Sequence, residues 1–455
     1  MMGVELGSEE EGVTVWESKG IGSDGLCGDK GKVVDKIGGT VGEGLVYAKS
    51  KNQKMEFCVK VVTEGILEEL TKNNPNRNVV MSPASMNVVL NMAASGSAGK
   101  TLDQFLGSLG SETITELSCK TSSLMGLFDL DTAADPDPDY SDSAYNAPPE
   151  LSLVNVMFVD QQCPLKPSFQ EIVRDVYKTE PKIVDFNQEE KVRNEVNSWA
   201  EEKTKGLIKG FLPPTSKLKG PLFFANALYF KAAWLDQFVA SSTRDEDFHL
   251  LDGKTIRAPF MTQIEESMQR CGSFEDFKVI RLNYSTGGCY SNNHPRFCMD
   301  IILPERKNGL QDLLERFNSD TKLLLQDFKL EDMLVTEIWI PKWKFSYDLD
   351  TIELMNKLGL TLPFKYPEAD FTEAMDSPLG KLLHIGKMYH KACISVNEEG
   401  TEGASIFSAE LLAGSMYRPP EVQFVADHPF MFMIREKVSG VVIFTGAVLN
   451  PLSDN

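Results

Sequence analysis

Two glycine-rich motifs are the first features of this sequence whose residue types suggest chemistry. Gly20–Gly25 matches the GxGxxG pattern of dinucleotide sites, and Ala94–Thr101 is similar to a phosphate-binding loop that lacks its first glycine. Both sites need a strand before the loop and a helix after it. More glycines follow the first motif, and the second motif leaves a helix instead of a strand. Neither motif therefore predicts a nucleotide site.

The five histidines and eight cysteines suggest neither a metal site nor a catalytic centre. The sequence has no HExxH, CxxC or GxSxG motif, and these are the spacings that zinc sites, redox sites and nucleophile elbows use. The cysteines are expected to be reduced and mostly buried. The sequence therefore predicts a protein that is not an enzyme and that needs no cofactor and no metal.

The charge balance argues against two classes of partner. Lys and Arg total 46 and Asp and Glu total 66, which gives a net charge of -20. Such a chain repels phosphate backbones and anionic lipids unless a basic patch offsets the charge. The densest lysines, Lys203, Lys205 and Lys209, alternate with acidic residues, and no apolar run is long enough to span a bilayer. We expect no nucleic-acid and no membrane partner.

The 455 residues divide into two regions of different composition. Residues 1–52 are rich in glycine and weakly periodic, and such a segment cannot bury enough apolar surface to offset its ordering entropy. They are predicted to be a disordered extension, and residues 53–455 to be the globular domain. The first residues contain no apolar stretch of the kind a secretory signal has, which leaves cytoplasm and extracellular space open as locations.

The pattern of the globular part predicts an α+β fold. A strand at Val79–Met81 leads into a helix opened by Ser82 as N-cap and Pro83 at the first position. Leu222–Phe230 is nearly all apolar, as in a strand covered on both faces, and Tyr389–Val396 alternates. Strands and helices are interleaved without a βαβ rhythm, which favours large sheets with helices packed against them.

His390 is the one polar residue on the apolar face of the alternating strand. A histidine in that position is usually part of a core in which its ring nitrogens find partners. From the residues alone, a satisfied core histidine is the simplest interpretation.

The segment between Val396 and Phe424 is the most unusual part of the chain. About 27 residues without a convincing helix separate two predicted strands, and loops of this length in compact domains are usually functional. Small residues and alternation allow Thr401–Leu411 to form a strand. A loop that continues one strand and can join a sheet suggests a device for strand insertion.

Six motifs occur in order across residues 53–455: Ser82–Ser85, Phe223–Trp234, Phe248–Gly253, Tyr389–Cys393, Asn397–Glu402 and Phe424–Phe430. Together they resemble the serpin family, and plant serpins in particular. The resemblance implies a large central sheet with further sheets, about nine helices and an exposed reactive-centre loop at about residues 397–423.

The resemblance also implies a mechanism. Serpins inhibit serine proteases, and sometimes cysteine proteases, by a suicide route in which the protease cleaves the loop and forms an acyl-enzyme. The cut loop then inserts into the central sheet, and about fifteen residues at roughly 3.3 Å each carry the protease about 50 Å. The distorted protease cannot complete hydrolysis.

Individual roles follow from the matched motifs. The resemblance assigns a hinge to Glu399, Gly400, Thr401, Glu402, Gly403, Ala404 and Phe407, a polar shutter to Ser82, Ser85, Asn226 and His390, and a breach to Trp234.

The resemblance places the scissile bond by counting along the loop. Counting from Gly400 gives Gly414–Ser415, and counting back from Phe424 gives Ala413–Gly414. A small residue before the bond implies an elastase-like or papain-like target, because trypsin-like proteases need a base there. The implied inhibitor acts as a monomer.

The hinge departs from the family pattern, which leaves a second hypothesis open. Inhibitory serpins usually have small hinge residues, and this chain has Gly403, Ile406 and Phe407. If Thr401 faces the core on insertion, alternation also turns Phe407 inward and Ile406 outward. Overpacking would slow insertion. The chain would then be a non-inhibitory serpin, acting as a binding protein or as a protease substrate.

Overall fold

The computed structural model describes most of the predicted globular part. The described residues are 55–72, 76–128, 148–204, 206, 208–218, 221–263, 266–286, 295–376, 378–401 and 420–453. The predicted extension 1–52 lies outside them, as do Glu402, Gly403, Ala404, Ile406, Phe407, Ala413, Gly414 and Ser415.

Nine α-helices form among these residues. They are α1 (Glu56–Thr71), α2 (Pro83–Ser95), α3 (Gly99–Leu109), α4 (Ile114–Met125), α5 (Pro167–Tyr177), α6 (Glu189–Lys203), α7 (Leu310–Ser319), α8 (Lys322–Leu325) and α9 (Ile352–Lys357). The helix α2 begins as the sequence predicts, because the Ser82 hydroxyl accepts a hydrogen bond from the Ser85 amide and Pro83 occupies the first turn.

Sixteen strands form among the same residues. They are β1 (Val79–Met81), β2 (Glu150–Asp160), β3 (Lys182–Val184), β4 (Leu222–Ala233), β5 (Arg244–His249), β6 (Thr255–Met261), β7 (Ser267–Ser273), β8 (Phe277–Asn283), β9 (Phe297–Pro304), β10 (Glu331–Pro341), β11 (Trp343–Asp350), β12 (Ile385–Val396), β13 (Gly400–Thr401), β14 (Glu421–Val425), β15 (Phe430–Glu436) and β16 (Val442–Val448).

Two sheets organise these strands. The smaller sheet has six strands in the order β11-β12-β13-β4-β2-β3, and the larger has ten, in the order β1-β16-β15-β9-β8-β7-β10-β6-β5 with β14 on β10. Among the described residues, no helix has both the length and the apolar character needed to cross a bilayer.

The six-stranded sheet is buried on both faces, which explains the continuous apolar run in β4. Helix α6 packs on one face through Val192, Val196 and Trp199, against Phe223 and Ala225 of β4. Helix α2 and the larger sheet cover the opposite face. The sheet thus separates two apolar cores, and any polar group on it must find a partner within the protein.

Candidate functional site

A row of three polar side chains crosses the middle of the six-stranded sheet. Asn226 on β4 is the register partner of Asn155 on β2 and of His390 on β12. The Asn226 amide donates to Asn155 Oδ1, and Asn226 Oδ1 lies 3.1 Å from His390 Nδ1. All three residues are buried. The row joins three neighbouring strands at one level.

The start of α2 completes this group, which we name the sheet-centre cluster: Ser82, Ser85, Asn155, Asn226 and His390. The Ser85 hydroxyl donates to Asn226 Oδ1, and the Ser82 backbone N–H donates to His390 Nε2 at 3.1 Å. Because Nε2 accepts, the ring proton belongs on Nδ1, which donates to Asn226. The four predicted shutter residues therefore share one buried network.

Burial lowers the pKa of His390 to about 4. The neutral ring is favoured in the folded chain, whereas the unfolded chain takes up a proton near pH 6.5. The folded pKa is the depressed one, so this contribution to stability is complete above pH 6.5. It is lost as the pH falls towards 4.

We therefore expect acid to weaken the chain partly through His390. Between pH 7 and pH 4 the free energy of unfolding should fall by up to about 3 kcal/mol more in the wild type than in His390→Gln, which cannot titrate. Urea unfolding of both proteins across this range measures the difference. Parallel pH profiles would show that His390 does not titrate on unfolding.

The chain after β12 makes a tight turn, which we name the hinge turn: Asn397–Thr401. Asn397 Oδ1 accepts hydrogen bonds from the amides of Glu399 and Gly400 at 3.0 and 3.2 Å. Gly400 runs so close to β4 that a Cβ would overlap the Ala232 carbonyl oxygen and lie 2.7 Å from the Ala233 Cα. This position requires glycine, because the backbones meet directly.

The hinge turn is held to the body by a buried carboxylate. Glu398 accepts from the Thr243 hydroxyl at 2.6 Å, and its other oxygen lies 2.9 Å from Lys342 Nζ. Burial raises the pKa of Glu398, but the bonds from Thr243 and Lys342 outweigh burial and hold the pKa below its usual value. The carboxylate stays charged and paired, so it fixes the turn.

Trp234, the residue directly after β4, holds the same turn. Its backbone N–H donates to the Glu399 carbonyl and its indole N–H to the Asn397 carbonyl, both at 2.9 Å. The indole is 1% exposed and stacks on the Tyr284 ring, with centroids 4.5 Å apart. The tryptophan is thus a core residue that also contacts the hinge turn.

The structure places the described part of the predicted site at two levels of one sheet. The sheet-centre cluster lies at His390, and the hinge turn with Trp234 lies about six residues, or roughly 20 Å, further along β4 and β12. The rest of the predicted hinge and both candidate scissile bonds lie outside the described residues, so their positions stay predictions.

Several residues of this region were missed by the sequence reasoning. Asn155 carried a usable signal, because it is the one polar residue within the apolar run of residues 153–159. The contacts of Glu398 with Thr243 and Lys342, and of Tyr284 with Thr401, join residues between 56 and 155 positions apart. Such contacts have no local pattern.

Comparison with known proteins decides the family. A family model described as Serpin (serine protease inhibitor) matches residues 55–451. The chain belongs to the serpin family. The serpin fold expected from the motifs is thereby confirmed.

The similar proteins include plant serpins. Serpin-ZX of Arabidopsis thaliana is 40% identical over 387 residues, which cover 84% of this chain and 94% of that protein. Serpin-ZXA of Oryza sativa is 40% identical over 379 residues, covering 83% and 91%. The solved structure of Arabidopsis AtSerpin1 in its native stressed conformation matches with a TM-score of 0.76 at 37% identity, covering 88% and 98% of the two chains. This serpin therefore has plant relatives over most of its length.

Proposed function

We propose that this serpin inhibits an endopeptidase of the serine or cysteine type by suicide cleavage and loop insertion. In this proposal Asn397–Thr401 begins the hinge, the sheet-centre cluster is the shutter and Trp234 belongs to the breach. The chain has no catalytic role, acts as a monomer and needs no cofactor. Residues 53–455 are the serpin domain of this proposal, and residues 1–52 are an extension that precedes it.

One observation carries the proposal: β4 and β12 part at one end, and the hinge turn has entered the opening. Their parallel register runs to the pair Leu228 and Ala392, and further along Thr401 lies between Ala232 and Val396. Between these levels is a narrow cleft in the sheet. It is lined by Thr204, Ile208, Leu228, Tyr229, Phe230, Cys393, Ile394 and Ser395.

The orientation of β13 suits continued insertion. It runs antiparallel to both β4 and β12, and the direction from Gly400 to Thr401 points along the sheet towards the cleft and the sheet-centre cluster. Each further residue would gain backbone hydrogen bonds on both sides, at the cost of the direct pairing between β4 and β12. Two ladders of backbone hydrogen bonds would replace one, and this gain provides the driving force for insertion.

The proposed target follows from the residues around the two candidate bonds. Gly414 or Ala413 stands before the cut, with Leu411 and Leu412 just upstream. A pocket that accepts small or apolar residues fits this sequence, as in elastase-like and papain-like proteases. The nearest base, Arg418, lies too far along for a trypsin-like enzyme.

A gel assay tests the proposal. The purified chain is incubated with elastase, chymotrypsin, papain and trypsin, and each mixture is run under denaturing conditions. We expect a covalent band at the summed mass with elastase or papain, together with a C-terminal peptide that begins at Ser415 or Gly414. Cleavage of the loop by these proteases without such a band would contradict the proposed inhibition.

A second candidate function is that of a non-inhibitory serpin, and the register of β13 favours it. Thr401 pairs with Ala232 on β4 and with Val396 on β12. If the antiparallel pairing continued for six more residues, Phe407 would pair with Asn226 on β4 and with His390 on β12. A continuous insertion would therefore place the Phe407 ring between the two central members of the sheet-centre cluster. A phenyl ring offers no hydrogen bond there, so the insertion would slow and the chain would be cut as a substrate.

A further inference from the structure

The Tyr284 hydroxyl contacts the hinge turn directly. It lies 2.8 Å from the Thr401 hydroxyl, and the two side chains are 3% and 2% exposed. Tyr284 follows β8 of the ten-stranded sheet, so this bond connects the two sheets through the first inserted residues. Burial raises the pKa of Tyr284 well above its usual value, and the phenol stays neutral.

The Tyr284 ring is held in place by its surroundings. It stacks on Trp234 at 4.5 Å with an interplanar angle of 15°, and Phe230 packs edge-on at 5.1 Å. Its backbone N–H donates to the Phe297 carbonyl at 3.1 Å. A ring fixed on two sides presents its hydroxyl at one point. That point is where a threonine in β13 faces the core.

We propose that Tyr284 is a positioning residue for loop insertion. Its hydrogen bond fastens Thr401 between β4 and β12 in the uncleaved protein. The position of Thr401 then sets the register of the strand that inserts after cleavage. The inference rests on the proposed function for its consequence in inhibition. The fastening itself is independent of that function.

The direction of the effect follows from the buried hydroxyl. If Thr401 withdraws, its own hydroxyl reaches water, but the Tyr284 hydroxyl loses its partner in an apolar core. Withdrawal is therefore disfavoured, and Thr401 stays inserted. After cleavage, insertion then starts from residues that are already ordered. Insertion competes with deacylation, so a well-fastened hinge turn should raise the fraction of protease that is trapped.

The test compares variants that remove or keep this one bond. Tyr284→Phe and Thr401→Val each remove it with little change of shape, and Thr401→Ser keeps a hydroxyl. Tyr177→Phe is the matched control, because Tyr177 is also a buried tyrosine with a neutral hydroxyl partner, Ser95, but lies on α5.

Two readouts separate this inference from the proposed function. Hydrogen exchange of the amides of residues 399–401 should rise about threefold to tenfold in Tyr284→Phe and Thr401→Val, the range expected for one neutral hydrogen bond. The double variant should match either single one. The Thr401→Ser and Tyr177→Phe proteins should exchange there like the wild type.

The second readout is the number of inhibitor molecules consumed per protease trapped. In Tyr284→Phe and Thr401→Val this number should also rise about threefold to tenfold. The initial rate of loop cleavage should stay unchanged. Unchanged exchange in these variants would overturn the inference. Increased exchange in a chain that traps no protease would keep the fastening and overturn the proposed inhibition. Increased exchange without any change in consumption would show that the contact does not position insertion.

Discussion

Replacing Thr401 with arginine is expected to abolish covalent trapping and leave the chain a plain substrate. Thr401 is 2% exposed and lies between Ala232 and Val396, with its hydroxyl on Tyr284. A guanidinium placed there without a partner carries an effective desolvation cost of several kcal/mol. Every 1.4 kcal/mol on the barrier slows insertion about tenfold. Deacylation would then release the protease before insertion begins.

The measurement is the gel assay with the protease that gives the covalent band. Thr401→Arg should lose that band and be cleaved at an unchanged rate, because the candidate bonds lie well away along the loop. Glu402→Arg is the control. Continued alternation is expected to turn this position to the opposite face of the sheet, level with the partly exposed Lys231, where the charge can reach water. A band that persists in Thr401→Arg would show that insertion does not pass through this position.

Local patterns predicted the elements that position the site. Ser82 with Pro83 predicted the start of α2, and the alternation of β12 predicted that His390, Ala392 and Ile394 share a buried face. Both predictions are confirmed, because capping and alternation depend on neighbours in sequence. The α+β class followed from the order of the same elements.

The ends of the two central strands could not be predicted in this way. The apolar run predicts β4 over Leu222–Phe230, whereas the strand continues to Ala233. The alternating pattern begins at Tyr389, whereas β12 begins at Ile385. Two of the three extra residues of β4, Ala232 and Ala233, pair with Thr401 and Gly400, which are far away in sequence. Propensity and alternation contain no information about such partners. The same holds for the contact of Tyr284 with Thr401.

Changing Phe407 to threonine is expected to increase trapping, and this prediction separates the two candidate functions. Insertion parts His390 from Asn226, whose side chains are 3.1 Å apart. A threonine hydroxyl at position 407 can donate to one and accept from the other, whereas a phenyl ring leaves a buried polar group without a partner. That loss costs about 1–3 kcal/mol, and overpacking adds about 1–3 kcal/mol.

Removing both costs should lower the number of inhibitor molecules consumed per trapped protease by about tenfold or more. The measurement is a titration of the protease with Phe407→Thr and with the wild type. Phe407→Val removes bulk without supplying a hydroxyl, so its difference from threonine isolates the hydrogen bonds. Ile406→Thr is the matched control, because alternation turns it away from the cluster, and it should behave like the wild type.

The outcome assigns the function. A wild type that traps its protease and a Phe407→Thr variant that traps it with less waste would mean that this chain is an inhibitor slowed at the shutter. If the wild type is only cleaved and Phe407→Thr traps the protease, Phe407 alone makes this chain a substrate-like serpin instead of an inhibitor. A continuous strand that begins with Thr401 beside Ala232 must place position 407 between Asn226 and His390. Equal titrations for the wild type, Phe407→Thr and Phe407→Val would therefore contradict this register of the inserted strand.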